Sequence, residues 1–205
     1  MSESAAPAIN PHGHGRASDW VERFLPGVAA SGTVLDLACG AGRHLRRALT
    51  LGHPVVGLDR DVSGLADLEG RGDVEIVVHD LEAPGGLDFP WGTRRFAGVI
   101  VTNYLFRPLL TRLADLVAED GILIYETFAR GQERFGKPSN PDFMLAPNEL
   151  LRPETLGDLV VVGFEQGELP AEFTVTRAPK IVQRLAAVGP EHPWAHAAPR
   201  RLGGI

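Results

Sequence analysis

Thr33-Val34-Leu35-Asp36-Leu37-Ala38-Cys39-Gly40-Ala41-Gly42-Arg43-His44 is the stretch on which the fold turns. Residues 33–37 form a short β-rich run fit for a buried strand. Gly40 and Gly42 let the backbone turn tightly and come close to a ligand. A helical pattern follows over 43–51, with Leu45, Ala48, Leu49 and Leu51. Strand, glycine turn and helix together open a nucleotide-type site, set where a helix N-terminus meets a sheet.

Outward from this stretch, strands and helices alternate. Further strands are expected at 54–58, 74–78, 97–102, 122–126, 159–164 and 181–187, and helices at 62–68, 109–117 and 148–157. The strands are near-continuous apolar runs, as when helices cover both faces of a parallel sheet. The pattern predicts an α/β, Rossmann-like, doubly wound sheet of seven strands. Residues 165–180 lack a helical signal, so the last two strands are expected as an antiparallel hairpin. The sheet is then mostly parallel with an antiparallel C-terminal edge strand. Before the core, Ser18 is placed to cap a short helix carrying Trp20, Val21 and Phe24, with Pro26-Gly27 ending it.

A chain of 205 residues is expected to hold one domain, 19–189, between a flexible arm, 1–18, and a tail, 190–205. His12 and His14 lie in the Gly-rich arm and are read as linker, so no metal site is expected. The net charge of −6 argues against nucleic acid as partner, because phosphate contacts dominate such binding. Arg94-Arg95 and Arg200-Arg201 are the candidate basic patches, and solvated surface is the simpler reading of both. The lone Cys39 cannot form an internal disulfide, and it is assigned to packing. No signal-peptide pattern and no long apolar run is present, so a cytoplasmic location and no membrane partner are expected. Nothing in the pattern speaks to oligomeric state.

A dinucleotide fingerprint needs Gly-x-Gly-x-x-Gly, and here Leu45 stands at the third glycine. Asp36, just before the turn, would repel a pyrophosphate and favour a cationic ligand. In a doubly wound sheet, ligands bind beyond the carboxyl ends of the strands. The second strand ends in Asp59-Arg60, 23 positions after Asp36. An acid there can accept both hydroxyls of a ribose. The third ends in Asp80-Leu81, a carboxylate for an adenine amino group and an apolar side chain for its ring face. The fourth ends in Asn103-Tyr104-Leu105. Singly, Asp59 could cap a helix, Asp80 could make a turn and Asn103 could tie off a loop. Four polar strand ends in this order favour a binding site.

Residues 33–44 resemble motif I of the class I S-adenosylmethionine-dependent methyltransferases, and the resemblance runs from Val34 to about Phe128. S-adenosyl-L-methionine is the cofactor it implies, a ligand with both an ammonium and a sulfonium. Members of that group also end in an antiparallel sheet edge. The resemblance and the four strand ends assign cofactor binding to Asp36, Ala38, Gly40, Gly42, His44, Asp59, Arg60, Asp80, Leu81 and Asn103. Ala38 replaces the usual Gly, and its small size predicts a slight cost. His44 is expected near the cofactor's carboxylate or as a helix cap.

Residues 125–143, with Val101-Thr102-Asn103-Tyr104-Leu105-Phe106-Arg107-Pro108, are similar to small bacterial tellurite-resistance methyltransferases, which act on small soft anions and thiols. Phe106 stands where that group often has His, which puts a general base there in doubt. The implied activity is methyl transfer to a small-molecule substrate, with thiols and selenium or tellurium oxyanions as candidate acceptors. An RNA or protein methyltransferase, or a non-catalytic S-adenosylmethionine-binding protein, is the alternative. The Asn/Asp-Pro-Pro-Tyr/Phe motif of many amino-group methyltransferases is absent after the fourth strand. Tyr104 and Glu126 are the candidate catalytic residues, to orient the acceptor or take its proton. Arg107, Arg130, Phe135 and Asn140 are the candidate substrate contacts. Three of these belong to a long connection, 130–147, read as a lid because long loops in compact domains are often functional.

Overall fold

The computed structural model describes residues 15–174 and 176–197. The expected arm lies outside them up to residue 14, with His12 and His14, as does the end of the tail, with Arg200-Arg201. Seven strands form one sheet: β1 Val34–Leu37, β2 Val55–Asp59, β3 Val74–Val78, β4 Phe96–Thr102, β5 Val117–Phe128, β6 Val160–Leu169 and β7 Lys180–Val188. Their order is β3-β2-β1-β4-β5-β7-β6. The first five pair in parallel, and β7 runs antiparallel between β5 and β6. The antiparallel strand is therefore one place in from the edge, and β6 holds the edge. The chain leaves β1 towards β2 on one side and returns to β4 on the other. That reversal opens a crevice at the carboxyl ends of β1 and β4.

Alternate side chains of each central strand enter cores on opposite faces of the sheet. Leu35, Leu37, Val99, Val101, Leu123 and Tyr125 enter one. Val34, Ile100, Ile122 and Ile124 enter the other. Both faces are covered, which explains the unbroken apolar runs.

Helix α1, Asp19–Phe24, begins as expected, with Ser18 Oγ accepting from the Val21 N–H at 3.2 Å. Trp20 Nε1 donates to the Leu185 carbonyl at 3.1 Å, fastening α1 to β7. Helix α2, Arg43–Thr50, follows the glycine turn. The helix expected at 62–68 is a 3-10 turn, Ser63–Leu68. The one expected at 109–117 divides into α3, Arg107–Leu110, and α4, Leu113–Leu116, after which β5 starts at Val117. The one expected at 148–157 also fails as one piece. Pro153 forces Arg152 to an extended ψ of 142°, leaving a 3-10 turn, Glu149–Leu151, before α5, Pro153–Leu156. Part of the tail packs on the body. There α6, Pro193–His196, carries Trp194, whose ring lies over Gly27 and 6.4 Å from that of Phe24.

Candidate functional site

The crevice is a cleft of about 460 Å³. Its walls come from the predicted strand ends. Ala38 follows β1, Asp59 and Arg60 close β2, Asp80, Leu81 and Glu82 follow β3, and Asn103 and Tyr104 follow β4. Thr102, Thr127 and Phe128 form the floor, and Pro138 and Phe143 reach over from the long connection. Asp59 Oδ2 accepts from the Gly40 N–H at 2.8 Å and Oδ1 from the Asp61 N–H at 3.0 Å. One carboxylate thus joins the end of β2 to the glycine turn. Asp80 Oδ1 accepts from the Glu82 N–H at 2.9 Å. Leu81 is buried and gives the cleft an apolar wall.

The two glycines of the turn have different tasks. Gly40 has φ +52°, and a Cβ there would point into open space, so the bare backbone leaves room for a ligand. Gly42 has φ +73°, and a Cβ there would collide with Leu65 Cδ2, so it serves helix packing. Ala38 corrects the expectation of a slight cost. Its φ is 53°, the left-handed region that disfavours any Cβ. The penalty comes from the backbone conformation, and size does not enter. Ala38→Gly is expected to stabilise the fold by about 0.5–1 kcal/mol, since relieved strain outweighs the entropy of the unfolded glycine. A denaturant midpoint checks this, and a lower midpoint would refute the strain.

Asp36 and His44 do not line the cleft. Asp36 is buried, and its Oδ2 accepts from the Leu45 N–H at 3.1 Å, capping α2 from within the sheet. Burial raises its pKa to about 7, with Asp59 adding to the rise and the Leu45 bond and Arg43 opposing it. The direct attraction expected for a cationic ligand is thus blunted near neutrality. His44 Nε2 accepts from the Ser18 N–H at 3.3 Å, so its Nδ1 carries the hydrogen towards Thr102 Oγ1, 3.1 Å away. Burial, helped by Arg43 and Lys180, lowers its pKa to about 3. It is a neutral bolt between α1, α2 and β4 and lines neither the cleft nor the pocket beside it. Burial pushes the Cys39 thiol far up, with Asp36 and Asp59 adding to it, in keeping with packing.

The proposed catalytic pair is also revised. Tyr104 lines the cleft, and its hydroxyl donates to Glu82 Oε1 at 3.2 Å. Burial first, then the Glu82 charge, keeps that hydroxyl protonated well above the usual range. It can orient a group but is a poor base. Glu126 is fully buried on β5 and does not line this cleft. Lys180 Nζ donates to its Oε1 at 2.5 Å, and Arg184 Nη1 lies 3.7 Å from its Oε2. Oε1 thus ties β5 to β7, while Oε2 accepts no hydrogen bond and Glu126 borders a second, adjoining pocket.

Of the four expected substrate contacts, Arg107, Arg130 and Asn140 do not line the cleft. Arg107 is a clamp. It binds both carboxylate oxygens of the buried Glu149, at 2.8 and 3.3 Å, and the carbonyls of Asp142 and Met144. Its charge is already matched, so none is left to recruit a substrate. Arg130 is exposed beside a separate depression formed with Arg134, Gln166 and Glu168. Asn140 caps a 3-10 turn, Pro141–Phe143, accepting from the Asp142 N–H at 3.0 Å, and does not line the cleft. Phe135 borders the second pocket adjoining the cleft.

The connection is pinned at its base by a bridge between Ala129 and Leu145. Gln132 Oε1 holds it to the Ile181 N–H at 2.8 Å. Its Pro138 and Phe143 do overhang the cleft. Glu82, Phe128 and Lys180 were missed. Lys180 had a usable signal, because an antiparallel last strand brings its first residues to the end of the sheet where the parallel strands finish. The register Phe128 to Val182 does this.

No family model and no curated protein matches the sequence. Solved structures share its fold. TehB from Haemophilus influenzae superposes with a TM-score of 0.61 at 19% identity, over 83% of this chain and 61% of TehB. The chain thus spans about three-fifths of that protein. The 1,6-didemethyltoxoflavin-N1-methyltransferase of Burkholderia thailandensis, solved with 1,6-didemethyltoxoflavin and S-adenosylhomocysteine, gives 0.58 at 19% identity, over 90% and 79%. The glycopeptide N-methyltransferase MtfA, complexed with S-adenosylhomocysteine, gives 0.56 at 19% identity, over 86% and 91%. The chain has the class I methyltransferase fold that these structures share. Among the described residues, no helix is long and apolar enough to cross a membrane.

Proposed function

We propose that the chain is an S-adenosylmethionine-dependent methyltransferase acting on a small-molecule acceptor, with 19–189 as its catalytic domain. The observation that carries the reading is the cleft itself, where Asp59, Asp80, Leu81 and Asn103 from three strand ends meet beside a turn kept open at Gly40. These groups fit a nucleoside. Asp59 would take the ribose hydroxyls, Asp80 the adenine amino edge and Leu81 the ring face. Ala38 and Gly40 would let the backbone approach the amino-acid part. When bound, the cofactor supplies a methyl carbon on a cationic sulfur; the acceptor forms the new bond to that carbon while the sulfur keeps the old bonding pair.

What remains for the protein is alignment and the exclusion of water. Pro138 and Phe143 from the long connection line the cleft, and Tyr104 offers a hydroxyl to orient a group. Neither candidate base stands ready in the cleft: Tyr104 keeps its own proton, and Glu126 lies outside the cleft with its Oε1 engaged by Lys180. This supports an acceptor that needs little or no base, such as a thiolate or a selenium or tellurium oxyanion.

Calorimetric titration with S-adenosylmethionine, S-adenosylhomocysteine and NAD tests the cofactor. Micromolar binding of the first two and none of NAD is expected. Silence from both methionine derivatives would overturn the reading. Tight binding without turnover on any acceptor would leave a cofactor-binding protein with no transfer activity.

A further inference from the structure

A second pocket, about 230 Å³, adjoins the cleft, and Asn103 and Phe128 line both. Its other walls include Arg43, Lys137, Lys180, Phe135 and Phe173. Two features set it apart. The first is charge. The two carboxylates that line it are already matched, Asp19 by Arg16 at 2.7 Å and Glu126 by Lys180 and Arg184. Arg43 and Lys137 have no carboxylate within ion-pair distance among the described residues. Arg43 is half-buried and is partly offset by the charges of Glu126 and Asp36 at longer range, which leaves Lys137 as the cation with no carboxylate beside it.

The second feature is exposed aromatic surface. Phe135 is 40% exposed and Phe173 47% exposed, and both border this pocket, while Phe143, 56% exposed, overhangs the cleft beside it. Every exposed phenylalanine in the described residues therefore faces one of the two cavities. Large apolar side chains left open and gathered at one place mark a surface that a ligand covers.

We propose that this second pocket is the acceptor subsite and that it takes a small organic anion with a flat apolar body, of the aryl carboxylate kind. Arg43 and Lys137 meet the carboxylate, and Phe128, Phe135 and Phe173 enclose the body. The proposal rests on the methyltransferase reading, since the shared Asn103 and Phe128 put the bound molecule next to the cofactor cleft. It narrows the acceptor to one whose nucleophile, such as a thiolate, is carried on that flat body and takes the methyl group while the carboxylate stays with the cations; a bare oxyanion satisfies the cations and leaves the aromatic wall open.

The test is calorimetry with three probes that differ in one property each: benzoate, benzamide and selenite, titrated into protein loaded with S-adenosylhomocysteine. Benzoate is expected to bind at least about tenfold more tightly than either of the others, because only it satisfies both features. Lys137→Gln and Phe173→Ala should each weaken benzoate several-fold and leave S-adenosylhomocysteine affinity unchanged. Selenite binding as tightly as benzoate would overturn the aromatic part, and benzamide doing so would overturn the anionic part. If Arg43→Gln and Lys137→Gln cost as much cofactor affinity as benzoate affinity, the pocket holds the cofactor's own tail and the proposal falls. If S-adenosylhomocysteine fails to bind at all, the methyltransferase reading fails separately. Benzoate titrated into free protein then decides the pocket: binding lost in Lys137→Gln keeps the site, and no binding removes it.

Discussion

Asp59→Ala is expected to weaken S-adenosylhomocysteine binding by about 3 kcal/mol, roughly a hundredfold or more. The carboxylate stands on the cleft wall at the end of β2, where it would hold two ribose hydroxyls through charge-assisted bonds. Its present partners are the N–H groups of Gly40 and Asp61, so the substitution also frees the glycine turn. Asp59→Asn separates the two effects. It keeps an oxygen for the Gly40 N–H, loses the charge, and gives up only the bond to the exposed Asp61 N–H, which water can replace. Thermal unfolding should then match the parent within a degree or two while affinity still falls at least tenfold. Calorimetry on both variants reads this directly. Unchanged affinity in Asp59→Ala would withdraw the ribose assignment, whatever happened to stability.

The second large effect is one of stability, and its dependence on pH carries the information. His44→Gln should cost about 2–3 kcal/mol at pH 7.5, because the Ser18 N–H and the Thr102 hydroxyl lose a buried, well-shaped partner. His44 is held neutral in the fold, with a pKa lowered from 6.5 to about 3 by burial. The unfolded chain therefore takes up a proton below pH 6.5 that the native state refuses. The stability contributed by His44 is present above pH 6.5 and drains away as pH falls towards 3. The gap between parent and variant should narrow by about 2 kcal/mol between pH 7.5 and 5, roughly 4–8 °C in melting temperature.

Asp36 works in the opposite sense in both proteins. Its folded pKa is raised from 3.8 to about 7, so its contribution is complete below pH 3.8 and is lost as pH rises through 7. In the parent the two nearly offset each other between pH 4 and 6.5. Of these two groups only Asp36 remains in His44→Gln. The carboxylates with lowered pKa, Asp61, Asp73 and Glu149, respond below pH 5, so acidification to pH 5 should stabilise the variant. A parent–variant gap that stays constant with pH would show that His44 is not held neutral.

Patterns local to the chain made much of the architecture legible. An apolar strand, two glycines and an amphipathic helix at 33–51 specify a strand–turn–helix unit whatever surrounds them. The remaining strands declare themselves as runs buried on both faces. The polar strand ends at Asp59, Asp80 and Asn103 could be placed on one crevice because parallel strands all finish at the same side of a sheet. Short helices were read less well. Pro153 cuts the run at 148–157, and that needed only the local chemistry of the residue before a proline.

Side-chain roles were a different matter, and tertiary structure decided them. Glu126, Arg107 and His44 look alike in sequence: polar residues close to a predicted site. Each is consumed by a partner far along the chain, Glu126 by Lys180, Arg107 by Glu149 and His44 by Ser18. Arg130 stands next to a strand that feeds the crevice, yet the bridge from Ala129 to Leu145 leaves its side chain at another depression. Ala38 shows the same division on the backbone, since its composition is plain in the sequence and its positive φ is not. Local pattern sets which segments become strands, turns and helices, because those choices depend on neighbours a few residues away. Whether a charged or polar side chain is free to do chemistry depends on which distant group the fold brings within about 3 Å of it, and only the assembled sheet determines that.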